Sequence, residues 1–130
     1  MCSRRILLID DEPDIVRMIQ ITITAFVNWQ VLVAYNGPEG IHIALTEQPD
    51  AILLDVMMPG MDGLETLQKL QGSPQTEQIP VILLTAKVRT PDQSRYADLK
   101  VAGFISKPFN ATQLPRQIAA YLNWSWSESG

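Results

Sequence analysis

The sequence contains a single cysteine, Cys2, among its 130 residues, and it has no long hydrophobic run. One cysteine cannot form an internal disulfide, which is typical of a protein in a reducing compartment. Every apolar stretch is far shorter than the roughly 20 residues of a membrane-spanning helix, and the first is too short for a signal peptide. We therefore expect a cytoplasmic protein that does not span a membrane.

Positive charge is also scarce. Ten Lys and Arg stand against fourteen Asp and Glu, and the resulting net charge of −4 argues against a general affinity for nucleic acid or anionic membranes. The chain length and the 46% hydrophobic content suit one compact domain with its own core. We expect the binding partners to be other proteins.

What the sequence does have is a regular alternation of short apolar runs with segments of helical periodicity. The apolar runs are 6–9, 31–34, 51–54, 81–84 and 104–105. The first four are uninterrupted, which predicts strands buried on both faces of a parallel sheet. The alternation predicts an α/β fold, a doubly wound, flavodoxin-like sheet of five parallel strands and five helices, with strand order 2-1-3-4-5.

The segments between the runs have apolar residues at helical spacing. Those expected to face the sheet are Ile15, Ile19, Ile23 and Phe26 in the first helix, and Ile41, Ala44 and Leu45 in the second. His42, the only histidine, lies off this second face, so we expect it to point to solvent and to have no catalytic role.

Prolines and capping residues mark where the helices begin. Pro13 and Pro38 suit the first turn of a helix, where the missing N–H would have no partner in any case. Capping-box spacings predict further helices near 63–70 and 91–101. Pro115 would clash with the preceding turn if the last helix began four residues earlier, so we expect that helix to begin late.

Polar residues follow several of the runs. Asp10 and Asp11 end the first, Asp55 the third and Thr85 the fourth, and Lys107 lies just beyond the fifth. In a doubly wound sheet these carboxyl ends line one crevice, and clustered carboxylates repel one another unless a cation lies between them. Hard oxygen donors favour Mg²⁺, with Mn²⁺ as a possible substitute, over a Zn²⁺ or Ca²⁺ site.

Four motifs resemble those of response regulator receiver domains. They are IDD at 9–11, LDVMMPGMDG at 54–63, LTA at 84–86 and KPF at 107–109. The resemblance extends over nearly the whole chain, which is similar in type to the single-domain chemotaxis response regulators. It places a receiver domain at 1–123 and a C-terminal tail, with two tryptophans, at 124–130.

The resemblance implies a phosphorylation switch of a two-component system rather than an enzyme that acts on other molecules. Asp55 would accept a phosphoryl group from a sensor histidine kinase or a histidine phosphotransfer protein. Asp11 and Asp55 would bind the metal directly, the backbone carbonyl of Met57 would be a third ligand, and Asp10 would act through a water. The domain would catalyse its own phosphorylation and dephosphorylation.

The resemblance also implies how the switch works. Lys107 would pair with the phosphoryl group, the Thr85 hydroxyl would move to donate to it, and the aromatic ring of Phe104 would change its position in response. Met57 and Lys87 would flank the phosphorus, where we expect them to hinder hydrolytic water and prolong the phosphorylated state. The surface that binds the downstream protein would comprise 92–102, 104–106 and 112–122.

The same residues also allow other interpretations. The aspartates could be polar strand ends, Lys107 a solvated lysine, and Phe104 an ordinary core aromatic. A second function is a Mg²⁺-dependent phosphohydrolase with an aspartyl nucleophile, but Met57 occupies the place where enzymes of the haloacid dehalogenase type carry a second aspartate. A degenerate receiver that only binds partners would normally lack the acidic pair, the acceptor or the lysine.

Overall fold

The computed structural model describes residues 4–27, 29–55, 63–85, 101–106, 111–122 and 124. Within them, five parallel strands form one sheet in the order β2-β1-β3-β4-β5, which confirms the predicted topology. The strands are β1 (Arg5–Ile9), β2 (Gln30–Ala34), β3 (Ala51–Asp55), β4 (Val81–Thr85) and β5 (Gly103–Ser106).

Four α-helices lie within the described residues. They are α1 (Pro13–Phe26), α2 (Gly37–Glu47), α3 (Gly63–Gln71) and α4 (Leu114–Leu122). The helix predicted near 91–101 lies outside the described residues. A 3₁₀ turn at Ala111–Gln113 precedes α4, which begins at Leu114. Pro115 is therefore the second residue of α4, and the predicted late start of this helix is confirmed. None of the described helices is both long enough and apolar enough to cross a membrane.

The helices cover both faces of the sheet, as the doubly wound prediction requires. On one face, buried residues of α2 and α3 such as Ala44 and Leu67 pack against Leu7 and Ile9 of β1. On the other face, residues of α1 and α4 pack against the alternate strand positions. In the three central strands, residues 6–9, 51–55 and 81–84 are buried, because each strand has a neighbour on both sides and helices above and below.

Strand β2 differs from the prediction. Its uninterrupted apolar run suggested burial on both faces, but Gln30 is exposed and Val31 to Val33 are only partly buried. The reason is its place in the sheet: β2 is an edge strand that pairs with β1 alone, so one side lacks a covering strand. Only Ala34, at its carboxyl end, is fully buried.

Helix α1 presents its apolar face largely as predicted. Ile19 and Ile23 are fully buried, Ile15 is partly buried, and Val16 adds a buried residue that the prediction did not include. The Phe26 side chain lies outside the described part of the chain. Pro13 occupies the first turn, as expected from its missing N–H.

Helix α2 reaches the sheet through small residues instead of the predicted apolar face. Gly40 and Ala44 are buried, Ile41 is partly buried, and Leu45 is 40% exposed, so the prediction for Leu45 was wrong. A Cβ at Gly40 would lie only 2.4 Å from Cδ1 of Ile9, so the helix backbone approaches β1 too closely for a larger residue. This approach rotates Leu45 outward. His42 is exposed, as predicted.

Two tryptophans and an arginine pack together at the amino ends of the strands. Trp29 precedes β2 and Trp124 follows α4, and their rings meet edge to face at 5.2 Å and 84°. The Arg4 guanidinium lies 4.4 Å from the centre of the Trp124 ring. Both tryptophans pack against the buried cluster that α1 and α4 share, and the Trp124 amide donates to the Ala119 carbonyl.

Candidate functional site

Asp10 is held in place by its own backbone and by the turn that follows β1. Its amide donates to the Ala34 carbonyl at 3.1 Å, which extends the pairing of β1 with β2 by one residue. Its carboxylate accepts a hydrogen bond of 3.0 Å from the Glu12 amide. This local bond is an Asx-type turn, and it connects the end of β1 to the start of α1. The side chain of Asp10 is fully buried.

Asp55 is the last residue of β3, and the sheet register places it beside Asp10. Ile9 pairs with Leu54, so the residues that follow them on the two neighbouring strands lie at the same height. Asp55 is only 1% exposed. Two carboxyl groups that are both removed from solvent therefore meet at the carboxyl edge of the sheet.

The acidic cluster is larger than this pair. One carboxylate oxygen each from Asp10, Asp11, Glu12 and Asp55 can be chosen such that all lie within 4.8 Å of one another. Asp11 is partly buried and Glu12 is exposed, so these two form the solvent side of the cluster. The predicted convergence of Asp10, Asp11 and Asp55 is thus found in the described residues.

The chemistry of these donors fits a hard divalent cation. Two unit charges at such a distance repel by about 1 kcal/mol in water and by about 3 to 4 kcal/mol at the effective dielectric constant of a protein surface. Burying carboxylates together is therefore costly unless a cation lies between them. A set of carboxylate oxygens with an open solvent side suits Mg²⁺, which keeps several of its waters. The residues present fit a Mg²⁺ site.

Glu12 was missed in the sequence analysis. Three acidic residues in succession follow the first apolar run, but only the first two were predicted to belong to the site, because they lie at the strand end. The turn after β1 brings all three to one place, since Asp10 binds the amide of Glu12 and reverses the chain there. A run of acidic residues at a strand end is therefore best considered as a whole.

Thr85 ends β4 at the same edge of the sheet. It pairs with Ser106 of β5, and on the other side its neighbour Leu84 pairs with Asp55. This register puts the backbone of Thr85 beside the acidic cluster. Its side chain lies outside the described part of the structure, so the predicted hydroxyl contact stays a prediction.

Three further predicted residues, Met57, Lys87 and Lys107, fall outside the described residues, and their roles stay predictions. Lys107 follows Ser106, the last residue of β5, directly in the sequence. Phe104 lies within β5, pairs with Leu83 and is partly buried against the cluster on the α2 and α3 face. This position is compatible with both a core role and the predicted switch role.

The fold is similar to that of solved receiver proteins. The chemotaxis protein CheY4 of Vibrio cholerae superposes with a TM-score of 0.85 and 25% identity, over 92% of this chain and 99% of CheY4. The receiver domain of the sensor histidine kinase PA1611 from Pseudomonas aeruginosa gives a TM-score of 0.83 over 94% of this chain and 99% of that domain, at 23% identity. That structure has a magnesium ion coordinated in its active site cleft.

Curated relatives are similar over most of this chain. The response regulator PleD of Caulobacter vibrioides is 39% identical over 112 residues, which is 86% of this chain and 24% of PleD. Across such relatives the chain spans 24% to 50% of their length. The family model described as response regulator receiver domain matches residues 6–119. The chain therefore belongs to the response regulator receiver domain family.

Proposed function

We propose that this receiver domain is switched by phosphorylation of Asp55. The observation that carries the proposal is the burial of Asp55 beside Asp10 within a cluster of four carboxylates at the carboxyl edge of the sheet. In a doubly wound fold this edge is where ligands bind. A buried carboxylate surrounded by like charges gains from a bound cation, and that cation can then attract the oxygens of a phosphoryl donor.

The metal would be held by Asp11 and Asp55 directly, by the backbone carbonyl of Met57, and by Asp10 through a water. Glu12 adds negative charge on the solvent side of the cluster and so strengthens the attraction for a divalent ion. Mg²⁺, or Mn²⁺ in its place, would neutralise the carboxylates and the phosphoryl oxygens that approach them. The magnesium bound by the PA1611 receiver supports the choice of metal.

The transfer itself needs no proton from the protein. An oxygen of the Asp55 carboxylate attacks the phosphorus of a phosphohistidine whose other ring nitrogen is protonated, the P–N bond breaks, and the bonding electron pair stays on the leaving nitrogen, so that the ring leaves as neutral imidazole. The product is an acyl phosphate with about two negative charges. Such transfers pass through a loose transition state, so positioning and positive charge supply most of the catalysis. Lys107 would contribute that charge, and the Thr85 hydroxyl would donate to a phosphoryl oxygen.

The partners follow from this chemistry. The donor would be a sensor histidine kinase or a histidine phosphotransfer protein, and the setting would be the cytoplasm. The output would pass through the predicted surface that includes 104–106 and 112–122. Phe104 would report the phosphorylated state, while Met57 and Lys87 would set how slowly the acyl phosphate hydrolyses. The domain thus acts on itself and not on a released substrate, and no observation favours the phosphohydrolase alternative.

The experiment is phosphorylation by a small donor. The protein is incubated with Mg²⁺ and acetyl phosphate, and the mass of the intact chain is recorded. We expect the wild type to gain one phosphoryl group and Asp55→Asn to gain none. Asp50→Asn is the matched control, because Asp50 is an exposed carboxylate that directly precedes the same strand at its opposite end, and its change should leave the gain intact. An equal gain in Asp55→Asn would overturn the proposal.

A further inference from the structure

Tyr121 connects the last turn of α4 to the backbone of the predicted switch strand. Its hydroxyl donates a hydrogen bond of 2.8 Å to the carbonyl of Phe104, across 17 residues of sequence. Tyr121 itself is 45% exposed, so this contact lies at the surface of the sheet edge and not inside the core. The bond joins a helix side chain to the one residue of β5 for which a switch role is predicted.

The ring of Tyr121 also lies directly on Gly103. A Cβ at Gly103 would come within 2.3 to 2.6 Å of three ring atoms of Tyr121, closer than real contacts allow. A side chain at this position would therefore push the ring away. Gly103 and Tyr121 together form a fitted contact in which the glycine makes room for the ring and the ring brings the hydroxyl to the next carbonyl.

The contact of Tyr121 with β5 matters because β5 is an edge strand of the sheet. Strand β5 is at the end of the strand order, so among the described strands it pairs only with β4. The metal-binding carboxylates are on or beside β1 and β3, farther along the sheet. Tyr121 thus supplies β5 with a further attachment, from α4, that is independent of the acidic cluster. An edge strand held on one side only is freer to shift than a strand held on both sides.

We propose that Tyr121 is a positioning residue for phosphoryl transfer, acting through the backbone of β5. This inference rests on the proposed function of Asp55. Tyr121 touches neither the acidic cluster nor the phosphoryl group; it fixes Phe104, and with it the end of β5 that pairs with Thr85. When the hydroxyl is removed, β5 loosens while the carboxylates that bind Mg²⁺ stay where they are.

The test compares Tyr121→Phe with the wild type in two separate measurements. The first is the rate at which acetyl phosphate phosphorylates the protein at saturating Mg²⁺, followed by intact mass. The second is the Mg²⁺ dissociation constant from titration calorimetry. We expect the rate to fall by up to about tenfold, the most that the net contribution of one neutral hydrogen bond allows, and the dissociation constant to stay unchanged. Tyr35→Phe is the control, since Tyr35 is similarly exposed at the other edge of the sheet, and it should change neither quantity.

Each result decides the matter. An unchanged phosphorylation rate in Tyr121→Phe overturns the inference, and so does a parallel loss of rate and Mg²⁺ affinity, which would mean that the substitution loosens the whole domain. Amide hydrogen exchange gives a second measurement: Tyr121→Phe should speed exchange in β5 and leave β1 and β3 unchanged. A wild type that gains no phosphoryl group would overturn the proposed function itself. If instead the wild type and Tyr121→Phe are phosphorylated equally fast, only the inference about Tyr121 is overturned.

Discussion

Asp10, which directly follows β1, lies beside Asp55, the last residue of the adjacent parallel strand β3, and both are buried although both carry a carboxyl group. The pairing of Ile9 with Leu54 brings them to the same height at the carboxyl edge of the sheet. Like charges at this spacing repel one another, and the negative potential that they create attracts a cation. The stability of the domain should therefore depend on Mg²⁺.

The first prediction concerns stability without metal. Asp55→Asn removes one of the clustered charges and keeps the shape of the side chain. With a chelator present, we expect the substitution to raise the free energy of unfolding by about 1 to 4 kcal/mol, the repulsion of like charges at this spacing. Saturating Mg²⁺ should cancel or reverse the gain, because it stabilises the wild type more. Urea denaturation in the two conditions measures both values. A lower stability of the variant in chelator would contradict the prediction.

The second prediction separates the roles of Asp11 and Glu12 in metal binding. Asp11 is partly buried in the cluster and is the proposed direct ligand, so Asp11→Asn should weaken Mg²⁺ binding by about 10-fold to 100-fold. Glu12 is exposed, and water screens its charge, so Glu12→Gln should weaken binding by only about twofold to fivefold. Titration calorimetry gives both dissociation constants. The reverse order of effects would show that Glu12 is the direct ligand.

A third prediction tests the close approach of α2 to β1. In Gly40→Ala the new methyl group would overlap Cδ1 and Cγ1 of Ile9, and we expect a loss of about 1 to 3 kcal/mol in the free energy of unfolding. The double variant with Ile9→Val lacks the nearest atom, Cδ1. Its loss in the free energy of unfolding should therefore be smaller than the sum of the losses in the two single variants. Chemical denaturation of the four proteins provides the cycle. Simple additivity would mean that the two residues do not meet.

A fourth prediction addresses the aromatic contact between Trp29 and Trp124. Trp124→Ala removes a ring that packs on the core, meets Trp29 edge to face and lies under Arg4, so it should lower the free energy of unfolding by about 2 to 4 kcal/mol. Trp124→Phe should cost less, because it keeps an aromatic ring there. The fluorescence of Trp29 should shift to longer wavelength in Trp124→Ala as water reaches its indole. Unchanged stability would show that the segment is frayed in solution.

The parts of the fold that could be predicted from the sequence rest on strong periodic signals. Uninterrupted apolar runs identified the central strands, and their alternation with helical segments gave the strand order. The same signal misjudged β2, because a run of apolar residues does not show whether its strand will have one neighbour or two. Burial depends on position in the sheet, which the run itself does not encode.

Helix α2 shows a second limit of sequence reasoning. Apolar spacing pointed to Leu45, but the helix is oriented by Gly40 and Ala44, whose small size allows the backbone to come close to Ile9. Glycine contributes little to a hydropathy pattern, but the missing side chain of Gly40 decides how α2 packs on β1. The convergence of Asp10, Asp11 and Asp55 was easier to predict than the packing of α2, because acidic residues at the ends of parallel strands must meet at one edge. Glu12 escaped notice since a turn, not a strand end, brings it there.

The most direct test of the account is to locate the phosphoryl group on the chain. Borohydride reduces an aspartyl phosphate to homoserine, so the protein phosphorylated with acetyl phosphate and Mg²⁺ can be reduced, digested and sequenced by tandem mass spectrometry. We predict homoserine at residue 55 and at no other aspartate. Homoserine at Asp10, Asp11 or a surface aspartate, or none at all in a protein saturated with Mg²⁺, would contradict it.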